Sequence, residues 1–185
     1  MKPEIDIILE FYPLHRAPDW RPLEDYAEDV GKRLCAAEAM EATLATGRPA
    51  EEAPLDCLRQ TARSGGVAAV CLMDGRAELI WGVRRKGLLT SGGEIWMLRT
   101  AVPEKCRLTF ARESRRQLVY LVQLSGLSRF ENVVHRDNVV AIRWLKWLGF
   151  RFDRKVGRNW LHFQATAEQL LSRNMVKEAA HGRGD

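Results

Sequence analysis

The chain has 185 residues, 46% of them hydrophobic and 29% charged, an ordinary globular composition that excludes a disordered, collagenous or membrane-spanning protein. At this length folding buries roughly 70% of the surface of the extended chain, so a core forms without disulfides or a structural metal. The net charge of +5 is uneven: residues 1–60 hold 7 Lys/Arg and 13 Asp/Glu, whereas residues 61–185 hold 22 and 11. The basic part would attract nucleic acid, an anionic cofactor or an acidic protein face, and a solvated, arginine-rich surface explains it equally.

Cys35, Cys57, Cys71 and Cys106 are scattered, with no Cys-x-x-Cys pair and no neighbouring histidine at a ligand spacing. A reduced, cytoplasmic setting is expected. The N-terminal apolar run is too short for a signal peptide, and no apolar stretch reaches the ~18 residues of a membrane helix.

In chain order, Ile5 to Phe11 is β-rich and ends at Tyr12-Pro13, which predicts a first strand. Arg21 to Thr46, rich in Ala, Glu and Leu, predicts one bent helix or two, broken at Gly31 and ended by Gly47-Arg48-Pro49. A shorter helix over Glu51 to Arg63 stops at Ser64-Gly65-Gly66. Val67 to Met73 and Ala77 to Val83 flank Asp74-Gly75, a hairpin signal in which Arg76 lengthens the loop. Glu94 to Thr100 reads as the next strand, and Pro103 as the start of a long helix with Leu108, Ala111, Leu118, Val122 and Ser125 as its inner stripe.

Phe130 to Val134 is a short strand. Val139 to Leu148 is a helix with Asp137 or Asn138 as N-cap and Gly149 just past its end. Two strands, Phe150 to Val156 and Asn159 to Gln164, flank Gly157, and Ala165 to Ala180 closes the chain as a helix. The order predicts an α+β, or mixed α/β, domain spanning residues 1–185: an acidic helical third (1–66), a core region (67–164) and a terminal helix and tail (165–185). A mixed central sheet carries helices on both faces, and residues 94–134 form a crossover between parallel strands.

The run from Asn138 to Phe150, with Ala141 three positions after the asparagine and Gly149-Phe150 eleven and twelve after it, resembles the corresponding helix of GNAT-family acyltransferases. The element order from about residue 67 to 156 is similar to theirs. Val134-His135-Arg136-Asp137-Asn138 leading into that helix, with Phe110-Ala111-Arg112-Glu113-Ser114-Arg115-Arg116, looks like the GNAT-like proteins of tailed phages and prophages named after the gene-thirteen internal virion protein of T7-like phages. The resemblance implies a GNAT fold and acetyl-CoA as cofactor. It implies a coenzyme site at Leu98, Arg99, Thr100, Arg107, Arg112, Arg115 and Asn138.

Two features of the implied site are missing. Active members carry a loop of the type Arg/Gln-x-x-Gly-x-Gly/Ala, whose amides approach the pyrophosphate. With Arg107 in its first position, Phe110 and Arg112 stand where small residues belong, and no glycine lies between Gly93 and Gly126. The tyrosine that the resemblance places seven residues after the asparagine, to protonate the departing thiolate, is Leu145. Tyr120, His135 and Cys106 are substitute acids without an identifiable partner. The catalytic residue is therefore unassigned.

Arg99, Lys105, Arg107, Arg112, Arg115 and Arg116 gather around the start of the long helix, as a phosphate-holding set or as a solvated face. On the helix after Asn138, apolar residues fill an arc of about 220°, where one-sided packing needs only ~100°. Either neighbouring elements cover both flanks, or Trp144 and Trp147 form a protein-contact patch. His15, His135, His162 and His181 are not spaced as metal ligands, and Ser64-Gly65-Gly66 and Ser91-Gly92-Gly93 read as turns.

The leading expectation is a GNAT-fold phage or prophage protein with a degenerate coenzyme site, without bound acyl-CoA. It acts through virion or host protein contacts in virion assembly or as an internal virion component, in the host cytoplasm or in the virion. The alternative is an active acetyl-CoA-dependent N-acetyltransferase with an atypical cofactor loop. Nucleic-acid binding is the weakest reading.

Overall fold

The computed structural model describes residues 7–12, 21–87, 90–101 and 107–173. The chain divides into two compact units: residues 1–85 with 95–107, and residues 86–94 with 108–185.

In the first unit, β1 (Ile7–Tyr12), β2 (Val67–Met73), β3 (Arg76–Arg85) and the later half of β4 (Gly92–Arg99) follow one another in hydrogen-bonded order. β1–β2 and β2–β3 are antiparallel. Asp74 and Gly75 take positive φ (50° and 72°), as the two central residues of a primed turn must. Arg76 pairs with Met73 inside the ladder, so it does not lengthen the loop. The helices are α1 (Arg21–Lys32), α2 (Ala36–Thr46) and α3 (Ala53–Arg63), with a 3₁₀ turn over Ala50–Glu52.

α1 runs through Gly31, contrary to expectation, and the break falls at 33–35. A Cβ on Gly31 would stand 2.1 Å from the Glu51 carbonyl oxygen, so this glycine serves a close backbone approach rather than a helix end. Gly47 ends α2 in the left-handed region, its amide donating to Thr43 O at 2.8 Å. Leu23, Ala27 and Val30, at helical spacing on α1, join Leu58, Ile80 and Trp96 in a core from which solvent is nearly excluded. Each large side chain there contributes roughly 1.5–3 kcal/mol.

In the second unit the earlier half of β4 is followed by β5 (Arg129–His135), β7 (Trp160–Thr166) and β6 (Arg151–Val156), in that hydrogen-bonded order. β4–β5 is parallel, as expected of a strand–helix–strand crossover, while β5–β7 and β6–β7 are antiparallel. α4 (Arg107–Ser125) carries buried Leu118, Leu121 and Val122, and α5 (Val139–Leu148) buries Leu145 and Leu148. Pro103, the expected helix start, lies outside the described residues, as do Ile5 and Asp6 of the expected first strand. Residues 165 and 166 extend β7, and helix follows over 167–173. The expected terminal helix beyond 173 lies outside the described residues. Among these residues no helix is long and apolar enough to cross a membrane.

Candidate functional site

The β4–β5 ladder covers three residue pairs, Gly92 to Glu94 against Arg129 to Glu131, although both strands run on. β5 continues through His135, paired with β7 on its other edge. Past the last β4 partner, the amide of Val133 donates to the side-chain oxygen of its neighbour Asn132 at 2.7 Å. That is a local substitute for a ladder bond.

β5 leads into the cap of α5. Asn138 is buried, and its Oδ1 accepts from the Ala141 amide at 3.1 Å, which selects it over Asp137 as the N-cap. Its Nδ2 is buried without a hydrogen-bond partner, although such a donor ordinarily finds one. Gly149, at φ 114°, closes the helix with its amide on Leu145 O and Lys146 O.

The first turns of α4 do not form a loop. Phe110 and Arg112 are helical, and Phe110 stacks on Trp144 with ring centroids 6.3 Å apart. Trp144 Nε1 donates to Ser114 Oγ at 3.2 Å. The Arg115 guanidinium lies 3.5 Å from the centroid of the Trp147 ring, with Nη2 3.5 Å from Trp147 O. Burial, with Arg173 as a second cause, holds the Arg115 guanidinium below its usual value. The residues assigned to phosphate (Arg115) and to a protein partner (Trp144, Trp147) therefore have partners within the unit. The exposed large apolar side chains of α5 are Val139 (49%) and Val140 (66%). Arg112 is exposed, and Arg107 opens α4.

The coenzyme candidates on the first unit serve its own structure. The Leu98 side chain is in the core. Arg99 Nε faces Glu38 Oε1 at 3.6 Å. Burial pushes the Glu38 carboxyl up to about 7, against the opposing pull of Arg99. Thr100 donates its amide and its hydroxyl to Glu78, which also pairs with Arg33.

Leu145, at the position of the implied tyrosine, is buried and apolar. Of the substitute acids, Tyr120 is exposed on α4, and Cys106 lies outside the described residues. His135 is buried edge-on to Trp160, with Nδ1 accepting from the Asp137 amide at 3.3 Å; a neutral ring then carries its proton on Nε2. His162, which the sequence showed only as not spaced for a metal, is buried and hydrogen-bonded. His162 Nδ1 stands 2.6 Å from Asp153 Oδ1, and nothing in the linear spacing of these two residues signalled it. Ser64-Gly65-Gly66 is a turn as expected, whereas Gly92 and Gly93 lie within β4. Among the described residues no group of three His, Cys, Asp or Glu residues could hold a metal ion.

Known structures share this fold. One is RimJ of Mycobacterium smegmatis in complex with CoA-disulfide (17% identity, TM-score 0.60, covering 95% of this chain and 90% of that one). Another is a GCN5-related N-acetyltransferase of Brucella melitensis (16%, 0.59, 97% and 86%). A third is a spermidine N-acetyltransferase chimera of Vibrio cholerae SpeG and hSSAT (15%, 0.61, 89% and 99%).

The chain has the GNAT fold. At these identities the likeness concerns the fold alone. No family model matches the chain, and no curated protein does.

Proposed function

We propose that this GNAT-fold chain binds an acyl-CoA, acetyl-CoA foremost, and transfers the acyl group to an amine. The observation that carries the reading is β5 beyond Glu131, where the Val133 amide donates to the Asn132 side chain and the ladder to β4 has ended. The amide-bearing arm of a coenzyme is an extended chain suited to such a strand. The orphaned Asn138 Nδ2, one helix entry further on, is a donor awaiting an acceptor. Acetyl-CoA supplies the thioester: the amine nitrogen forms the new C–N bond, the C–S bond breaks, the sulfur leaves as thiolate and the amine proton passes to solvent. Leu145 gives up no proton to that sulfur, and Arg115 and Arg99 are engaged within their units, so phosphate contacts fall to exposed groups such as Arg112.

The degenerate-site expectation drew on Phe110 filling a phosphate loop. Phe110 lies in α4 against Trp144, and no glycine stands between Gly93 and Gly126. A melting curve with and without acetyl-CoA and CoA tests binding, and thiol release in a screen of amines and peptides tests transfer. A rise of a few degrees is expected with coenzyme well above its dissociation constant. No shift with ~1 mM of either ligand would overturn the proposal.

A second reading, a non-catalytic phage or prophage protein acting through virion or host protein contacts, keeps two observations in its favour: Leu145 in place of a hydroxyl, and exposed Val139 and Val140. Its phage component rests on the resemblance of the Phe110–Arg116 and Val134–Phe150 runs. Normal melting with coenzyme present would leave it as the better account.

A further inference from the structure

In the second unit the basic excess of the chain collects on one surface. Residues 139–160 hold six Lys/Arg and one Asp, spread over α5, β6 and the turn that joins β6 to β7. All six cations, Arg143, Lys146, Arg151, Arg154, Lys155 and Arg158, are exposed. The one acid is already engaged. The β6–β7 register shifts between Phe152 and Arg154, which makes Asp153 a bulge residue, and bulges re-aim side chains. Its carboxylate lies 2.6 Å from His162 Nδ1 and accepts from Gln164 Nε2 at 2.5 Å, with Arg154 at 3.7 Å. Among the described residues no carboxylate pairs with Arg143, Lys146, Arg151, Lys155 or Arg158.

Register and ring contacts show how these cations are laid out. Lys146 Nζ stands 5.6 Å from the centroid of the Phe152 ring, so the exposed flank of α5 lies over β6. Arg143 is three residues before Lys146 and shares that flank. Phe152 pairs with Phe163 and Lys155 with Leu161, two positions apart on β7, which puts Lys155 on the same face as Phe152. Arg158 follows in the turn. Arg151 and Arg154 pair with Gln164 and His162 on the opposite face. The cations therefore form a row along α5 and the hairpin that wraps the outer strand of the unit.

Edge protection accounts for charges on β6, but not for Arg143 and Lys146, which belong to a helix. A second copy of the chain offers a poor counter-surface, because many acids of the first unit are paired at home: Asp29 with Arg33, Glu52 and Asp56 with Arg48, and Glu24 with Arg59. An extended row of cations fits an anion whose charge repeats along its length. Nucleic acid carries one phosphate per nucleotide, and the guanidinium fork takes phosphate oxygens two at a time.

We propose that α5 and the β6–β7 hairpin form a nucleic-acid surface, on which Arg143, Lys146, Lys155 and Arg158 hold the phosphate backbone. The surface is independent of acyl-CoA binding.

Fluorescence anisotropy with the full chain, free of coenzyme, tests it on a labelled single strand of about 20 nucleotides and on the matching duplex. With four phosphates neutralised, affinity for the single strand should fall about 50-fold between ~50 and ~200 mM salt. Replacing Arg143, Lys155 and Arg158 together by Gln should weaken binding about tenfold or more and flatten the salt dependence. Lys32, Arg63 and Arg76 are exposed cations of the first unit; replacing them by Gln changes the net charge equally and should cost less than about twofold. Binding of neither probe at ~50 mM salt, a flat salt response, or equal losses in the two triple variants would each overturn the surface. Equal displacement by polyglutamate would overturn it in favour of an acidic polypeptide. If the first triple variant does not fold, Arg158→Gln is read in its place: a loss of about threefold supports the surface and an unchanged affinity overturns it.

Discussion

The guanidinium carbon of Arg115, on α4, lies 3.5 Å from the centre of the Trp147 ring, on α5. One contact pairs a candidate phosphate ligand with a candidate protein-contact residue, and both stay partly exposed. It also places a cation beside the C-terminal carbonyls of α5, where the helix dipole favours it.

Arg115→Gln should cost about 1 kcal/mol of stability, the magnitude of a partly desolvated cation–π contact. Coenzyme affinity measured by calorimetric titration should stay within about twofold. A tenfold loss of affinity with little loss of stability would return Arg115 to the coenzyme site.

Glu38 makes stability depend on pH. Its folded-state value of about 7 stands above the 4.5 of an ordinary glutamate, so the folded chain binds this proton more tightly than the unfolded one. The contribution is full below about pH 4.5, declines as pH rises, and is lost by about pH 7, an order-of-magnitude loss of 2–3 kcal/mol. Glu38→Gln should stabilise the chain by up to about that amount at pH 8 and by little at pH 4. Urea denaturation at the two pH values checks it.

Asn138 carries two separable duties. Asn138→Ser keeps an oxygen for the Ala141 amide and removes the orphaned Nδ2, so stability should change by less than about 1 kcal/mol. The coenzyme-induced rise in melting temperature should shrink. Asn138→Ala should lose about 1 kcal/mol as well, because the cap is gone. A full coenzyme effect in both variants would show that Nδ2 is not a coenzyme contact.

Gly31→Ala sets helix propensity against packing. Alanine favours the α1 backbone by about 1 kcal/mol, but its Cβ would stand 2.1 Å from the Glu51 carbonyl oxygen, and forcing backbone apart costs about 1–3 kcal/mol or more. Net destabilisation, read as a lower melting temperature, is expected. An unchanged or higher one would mean that α1 and the Ala50–Glu52 turn separate at little cost.

The local elements were legible in the residues themselves. Asp74-Gly75 fixed the hairpin because two successive positive φ angles suit few residues, and Asn138 with Gly149 bounded α5 because helix ends need a side-chain acceptor and a left-handed exit. The element order was enough for the mixed sheet and the parallel β4–β5 pair. Where side chains of distant residues meet came from packing. Gly31 read as a helix break because its need for space comes from Glu51, twenty residues on. Arg99 and Arg115 read as free cations because Glu38 and Trp147 reach them only through packing. Asp153 finds His162 because a bulge turns it there. Local conformation is set by each residue and its few neighbours, whereas partnership and access depend on the three-dimensional path of the backbone, which no short motif encodes.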